Sequence, residues 1–222
     1  MSVLMLFCCT FFNLPKTADI LMVPYSFLAL GDSYTIGECV AETERFPEQT
    51  VELLRSKGIA VQTPRIVATT GWTTDELEQG IRDARITGTY DIVTLLIGVN
   101  NQYRGRDLAE YRDQFTSLLQ QAVGFAGNRP SHVVVLSIPD WGVTPFAADR
   151  ERAAIAAQID AYNVANKDIA ASMGVHWINI TPYTREAAHD ITLVASDGLH
   201  PSGKDYARWA ADLAAWLPQA LH

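Results

Sequence analysis

Residues 91–97 read Asp91-Ile92-Val93-Thr94-Leu95-Leu96-Ile97, a nearly continuous apolar run rich in β-formers. A strand with one wet face alternates apolar and polar side chains, whereas a strand covered on both faces loses that alternation. The run therefore predicts a strand buried between two layers of helix. Working outward, the sequence keeps the same alternation of short β-rich runs and longer helical patterns. Upstream lie a strand at Tyr25–Leu30 (YSFLAL), a helix near Pro47–Lys57 stopped by Gly58, and a strand at Arg65–Ala68. Thr73 then caps a helix from Thr74 to about Arg85, with Glu76 at capping-box spacing. Downstream, Leu108–Val123 sets Leu108, Tyr111, Phe115, Leu118 and Leu119 on one stripe, as an amphipathic helix does. A strand at Val133–Ile138 stops at Pro139, and an Ala-rich helix runs from about Asp149 to Met173, ended by Gly174. A strand at Val175–Ile180 leads into a loop from Pro182 to Pro201. A last helix, about Ser202–Leu217, buries Tyr206, Trp209, Leu213 and Trp216. Five strands with intervening helices predict an α/β fold. Its expected form is a three-layer α/β/α sandwich on a five-stranded parallel sheet, in the flavodoxin-like order 2-1-3-4-5.

The whole chain has 222 residues, 48% hydrophobic and 19% charged, an ordinary globular composition. No internal repeat or low-complexity linker divides it, so residues 23–222 are expected to form one domain. Residues 1–22 read as an N-terminal extension. Met1–Phe12 is apolar enough for a signal core, but no Lys or Arg precedes it and no small-x-small cleavage pattern follows. The expected location is the cytoplasm. No run approaches the ~20 apolar residues that span a bilayer. The 17 basic residues are scattered among 25 acidic ones, for a net charge of −8, which argues against a nucleic-acid partner. Cys8, Cys9 and Cys39 make neither a disulfide framework nor a metal spacing. Cys39 is read as a small buried hydrophobe, and neither a metal nor an organic cofactor is expected.

Open parallel sheets bind ligands outside the carboxyl ends of their strands. Four short motifs fall there: Gly31-Asp32-Ser33-Tyr34, Thr70-Gly71-Trp72, Gly98-Val99-Asn100-Asn101, and Asp197-Gly198-Leu199-His200 in the last loop. Each alone is also an acceptable turn or cap. Together they supply a nucleophile, oxyanion donors, a base and a group to orient the base. The other histidines are poorly placed for the base. His132 and His176 precede their strands, His189 reads as a solvated loop residue, and His222 is terminal.

In these blocks, Ser33 in GDSY, Gly71 in TTGWT, Asn100 in GVNN and Asp197 with His200 in DGLH, the chain resembles the SGNH hydrolase superfamily, the GDSL-like esterases and lipases. The resemblance spans roughly Tyr25 to Leu217. It departs from the common pattern at Tyr34, where GDSL has Leu, and at Asn101, where GxND has Asp. Neither position is the nucleophile or the oxyanion amide.

The resemblance implies a serine esterase with Ser33 as nucleophile, His200 as base and Asp197 as its orienter. Its oxyanion hole would comprise the Ser33 and Gly71 N–H groups and the Asn100 amide. Tyr34, Trp72, Tyr103 and Trp141 are candidates for the substrate pocket. Short connections and no apolar lid point to short-acyl esters of small molecules. A carbohydrate O-acetylesterase or acyltransferase using the same triad is the alternative. A non-catalytic flavodoxin-like binding module is a further alternative, but the post-strand turns of this chain lack the Gly-rich phosphate loop it would need. Oligomeric state is open on sequence alone.

Overall fold

Five parallel strands form the sheet: β1 Phe27–Asp32, β2 Arg65–Thr69, β3 Ile92–Leu96, β4 Val133–Leu136 and β5 His176–Ile178, in the order β2-β1-β3-β4-β5. The structure, a computed structural model, describes residues 23–221. The extension at 1–22 with Cys8 and Cys9, and His222, lie outside the described residues. The predicted strand order and α/β architecture hold.

Helices α2 Phe46–Ser56 and α8 Gly203–Ala220 pack together in one layer. Helices α3 Thr74–Asp83, α5 Leu108–Phe125 and α6 Arg152–Ser172 form the other. The apolar run at 91–97 behaves as its composition requires: Ile92, Val93, Leu95, Leu96 and Ile97 are all fully buried. Tyr111, Phe115, Leu118 and Leu119 of α5 are buried as well. Thr73 and Glu76 make the expected capping box, with the Thr73 N–H donating to Glu76 Oε2 at 2.8 Å.

Boundaries move where side chains replace the ladder. The predicted end of β4 at Ile138 retreats to Leu136, because the Ile138 N–H donates to Asn163 Oδ1 of α6 at 2.7 Å instead. β1 runs on to Asp32, paired with Thr69, so the Gly-Asp of the first motif belongs to the strand. The last helix passes Leu217 and continues through Pro218. Pro218 has no N–H for the Ala214 carbonyl, and the Lys57 ammonium takes that carbonyl at 2.7 Å. Trp216, expected in the core, is half-buried with its indole stacked on His176 at 4.2 Å. The segment 182–201, expected to be a loop, contains most of the short helix α7 Thr181–Arg185 and two 3-10 turns. Two further short helices, α1 Ser33–Ile36 and α4 Val99–Tyr103, start directly at the active edge.

Candidate active site

Ser33 is the first residue of α1, immediately past the carboxyl end of the interior strand β1. Two local constraints hold it there. Asp32 caps α1, its Oδ1 accepting the Tyr34 N–H at 3.0 Å. Gly31 is required by close approach: a Cβ there would sit 2.1 Å from Thr35 Oγ1 and 2.5 Å from the Leu96 carbonyl oxygen.

His200 comes from the segment between α7 and α8, which is closed by a bridge between Val194 and Pro201. Asp197 accepts the N–H groups of Leu199 and His200 at 3.0 Å each through Oδ1, and its Oδ2 bonds His200 Nδ1. The carboxylate partner puts the proton on Nδ1, leaving Nε2 as the acceptor for the Ser33 hydroxyl, 2.9 Å away. Tyr34 packs its ring 4.9 Å from the imidazole and restricts its rotation. Burial pushes the Asp197 carboxyl up, but the hydrogen bonds from the His200 ring and from the Leu199 and His200 N–H groups outweigh it. The net position is below the ordinary carboxylate value.

Asn100 lies in the first turn of α4, directly after β3. Its Nδ2 donates to the Trp72 carbonyl at 3.0 Å and to Asp32 Oδ2 at 3.3 Å. Two acceptors on one side fix which end of the amide carries the hydrogens, and both hydrogens are engaged. Asp32 is fully buried, and burial pushes its carboxyl up to about 7 against the lowering by the Tyr34 N–H and the Asn100 amide. Gly71 is the third residue of a turn closed by the Trp72 N–H to the Thr69 carbonyl at 3.2 Å, and its φ of +83° is readily adopted by glycine. Arg104, one residue past α4, donates to the Gly71 carbonyl at 2.6 Å.

Ser33, Tyr34, Asn100, Tyr103, Trp141 and His200 line one cleft of about 120 Å³, with Val99, Phe146 and Leu199. Gly71 and Trp72 are not among its lining residues. The Trp72 indole instead lies over Gly80 of α3, where a Cβ would fall 2.1 Å from the ring. His132 hydrogen-bonds the Asp91 carbonyl at the opposite edge of the sheet, and His189 is solvent-exposed away from the cleft. Cys39 departs from its reading: it is exposed, on a left-handed backbone (φ +63°) just past α1 rather than in the core. Asp32, Phe146 and Arg104 were not singled out by sequence. Asp32 carried a readable signal, a charged residue at the end of an apolar strand. Among the described residues no group of three or more metal-type side chains gathers, and no helix is long and apolar enough to cross a membrane.

The model of the GDSL-like Lipase/Acylhydrolase family matches residues 29–208. Among solved structures, a lipase/acylhydrolase from Enterococcus faecalis superposes with a TM-score of 0.68 at 16% identity, covering 88% of this chain and 96% of that one. The psychrotrophic esterase EstA from Pseudoalteromonas sp. gives 0.64 at 14% identity, covering 89% and 98%. The acetylxylan esterase Axe2 from Geobacillus stearothermophilus gives 0.61 at 20% identity, covering 89% and 94%. No curated protein matches the chain in sequence.

Proposed function

The chain belongs to the GDSL-like lipase/acylhydrolase family, whose members hydrolyse ester bonds, and from that premise we propose that it is a serine esterase acting on short-acyl esters. One observation carries the reading: the His200 imidazole is hydrogen-bonded to Asp197 on one nitrogen and to Ser33 on the other. In the proposed reaction Ser33 Oγ attacks the ester carbonyl as its proton passes to His200 Nε2. Asp197 holds the Nδ1–H tautomer and stabilises the imidazolium without taking the proton. The imidazolium then protonates the departing alcohol oxygen. Water enters, His200 accepts its proton, and the acyl-enzyme on Ser33 is hydrolysed.

The negative oxygen formed on attack would be held by the Ser33 and Gly71 N–H groups and the Asn100 amide. Asn100 contributes by exchanging its longer bond, the 3.3 Å contact with Asp32, for the oxyanion, while its bond to the Trp72 carbonyl keeps it aimed. A single such donor lowers the barrier by about 3–4 kcal/mol. The cleft of about 120 Å³ is under the ~300–1,000 Å³ of sites for drug-sized ligands, which favours a small ester. The carbohydrate O-acetylesterase reading would use the same three residues.

Ser33→Ala tests the assignment on short-chain p-nitrophenyl esters. Hydrolysis is expected to fall to the background rate with the circular dichroism of the wild type, and a serine-directed phosphonate to label Ser33. Full activity in the variant, or labelling at another serine, overturns it.

A further inference from the structure

Three aromatic rings meet at the mouth of the Ser33 cleft. Trp141 is buried, while Tyr103 and Phe146 stand open at 47% and 46% exposure. Among the described residues five large apolar side chains are this exposed, and these two line the same cleft. The rings hold one another edge-on: Tyr103 lies 5.2 Å from Trp141 and Phe146 lies 6.0 Å from it, at interplanar angles of 74° and 67°. Such pairs add packing energy beyond their buried area, and they leave ring faces and edges directed at whatever enters.

Two of the three residues are tied down by hydrogen bonds. Trp141 Nε1 donates to Gln102 Oε1 at 2.7 Å, and Gln102 Nε2 donates to Gln158 Oε1 at 2.7 Å. The Phe146 N–H donates to the Gly198 carbonyl at 2.9 Å, tying Phe146 to the segment that carries Asp197 and His200. Preorganised rings lose little entropy when a ligand docks.

The cleft lining selects the ligand chemistry. No Lys, Arg, Asp or Glu lines it, so a charged headgroup would find no partner. Ser33, Asn100 and His200 are committed to the reaction, which leaves, among the lining side chains, the Tyr34 and Tyr103 hydroxyls for the many hydroxyls of a sugar. An unpaired hydroxyl loses its water without compensation. An apolar ring incurs no such penalty and recovers ~25 cal/mol for each Å² of aromatic surface removed from water. The side of the ester follows from proton transfer. The leaving oxygen must approach His200 Nε2, and Phe146 belongs to the segment bonded to the loop of that histidine.

We propose that Tyr103, Trp141 and Phe146 form a site for a planar apolar ring on the alcohol side of the ester, so that the substrates are neutral short-acyl esters of aryl or arylmethyl alcohols. This rests on the esterase reading of Ser33.

The test measures kcat/KM for ethyl acetate, benzyl acetate, ethyl phenylacetate and an acetylated xyloside on the whole chain. Ethanol and benzyl alcohol leave with closely similar acidity, so their comparison reports binding of the ring. Benzyl acetate is expected to exceed ethyl acetate by about tenfold or more. That ratio should fall several-fold in Phe146→Ala and in Tyr103→Ala, whose half-exposed positions let both variants fold. A benzyl-to-ethyl ratio near one, or one that survives both substitutions, overturns the ring site while the esterase reading stands. A preference for ethyl phenylacetate over benzyl acetate overturns the alcohol-side assignment, and a preference for the xyloside overturns the apolar ring. Hydrolysis of none of the four overturns the esterase reading and the ring site with it.

Discussion

Asn100 donates its side-chain amide to Asp32 at 3.3 Å, joining the candidate oxyanion amide to the buried carboxylate beside Ser33. Removing Asn100 therefore takes one donor from the proposed oxyanion site. Asn100→Ala is expected to lower kcat by ~10²–10³, the range for deleting one oxyanion donor, with KM moving less than about threefold. An interaction made only in the transition state gives that pattern. Steady-state kinetics on a short-acyl ester checks it. A raised KM with kcat retained would assign Asn100 to ground-state binding instead.

Asp32 itself makes stability depend on pH in an unusual direction. Its carboxyl lies at about 7 in the fold, against 3.8 ordinarily. A carboxyl raised by folding binds more protons in the native state, so its contribution is present at low pH and is lost as pH rises through the window from about 4 to 7. The full shift corresponds to about 4 kcal/mol. Asp197, Asp75, Glu76 and Asp91 are held low and act oppositely, losing their contribution as pH falls below about 4. Urea unfolding is thus expected to show higher stability at pH 5 than at pH 8. Asp32→Asn should flatten that difference by roughly 3 kcal/mol, even where its absolute stability is lower. An unchanged pH slope in the variant would refute the assignment to Asp32.

These two residues also show where the sequence is readable and where it is not. Ser33, Asn100 and His200 are legible because each follows directly on a strand end or the last active-edge segment, and chain order alone sets them at one edge of the sheet. Asp32 is legible only in part: a charged residue ending an apolar strand is visible in the sequence, whereas its full burial and its partner Asn100 on α4 are not. Adjacency to Gly71 likewise points Trp72 at the pocket, but its indole turns onto Gly80 of α3. Phe146 is hidden because its tie to Gly198 joins segments far apart in sequence. The strand order, by contrast, follows from local apolar runs and the handedness of crossovers, which is why β2-β1-β3-β4-β5 could be anticipated.

Cys39 is exposed, yet its thiol is held above the ordinary value, by desolvation and by the negative charge of Asp197 nearby. The thiolate is the reactive form. Alkylation of Cys39 by iodoacetamide at pH 7.5, followed by peptide mass spectrometry, is therefore expected to be slower than that of free cysteine. Anionic iodoacetate should react more slowly still, and Asp197→Asn should speed both. Labelling faster than free cysteine would contradict the electrostatic picture.

Arg104 bears on the proposed oxyanion side from outside the cleft. The carbonyls of two successive residues are clamped from α4 and its end: Arg104 holds that of Gly71 at 2.6 Å and Asn100 holds that of Trp72 at 3.0 Å. The Arg104 side chain is 44% exposed, so its ion pair with Glu76 adds little stability. Its contact is with the turn that carries the Gly71 N–H, the proposed oxyanion donor. Arg104→Ala is expected to lower kcat by roughly tenfold, short of the ~10²–10³ for losing a donor outright, because the Asn100 clamp on Trp72 remains. KM and the melting temperature should barely change. Arg104→Lys should recover part of the loss, since an ammonium can still reach the Gly71 carbonyl. A selective rise in KM would assign Arg104 to substrate binding, and a large fall in melting temperature to the fold. A pure kcat effect with partial rescue by lysine isolates the positioning of Gly71.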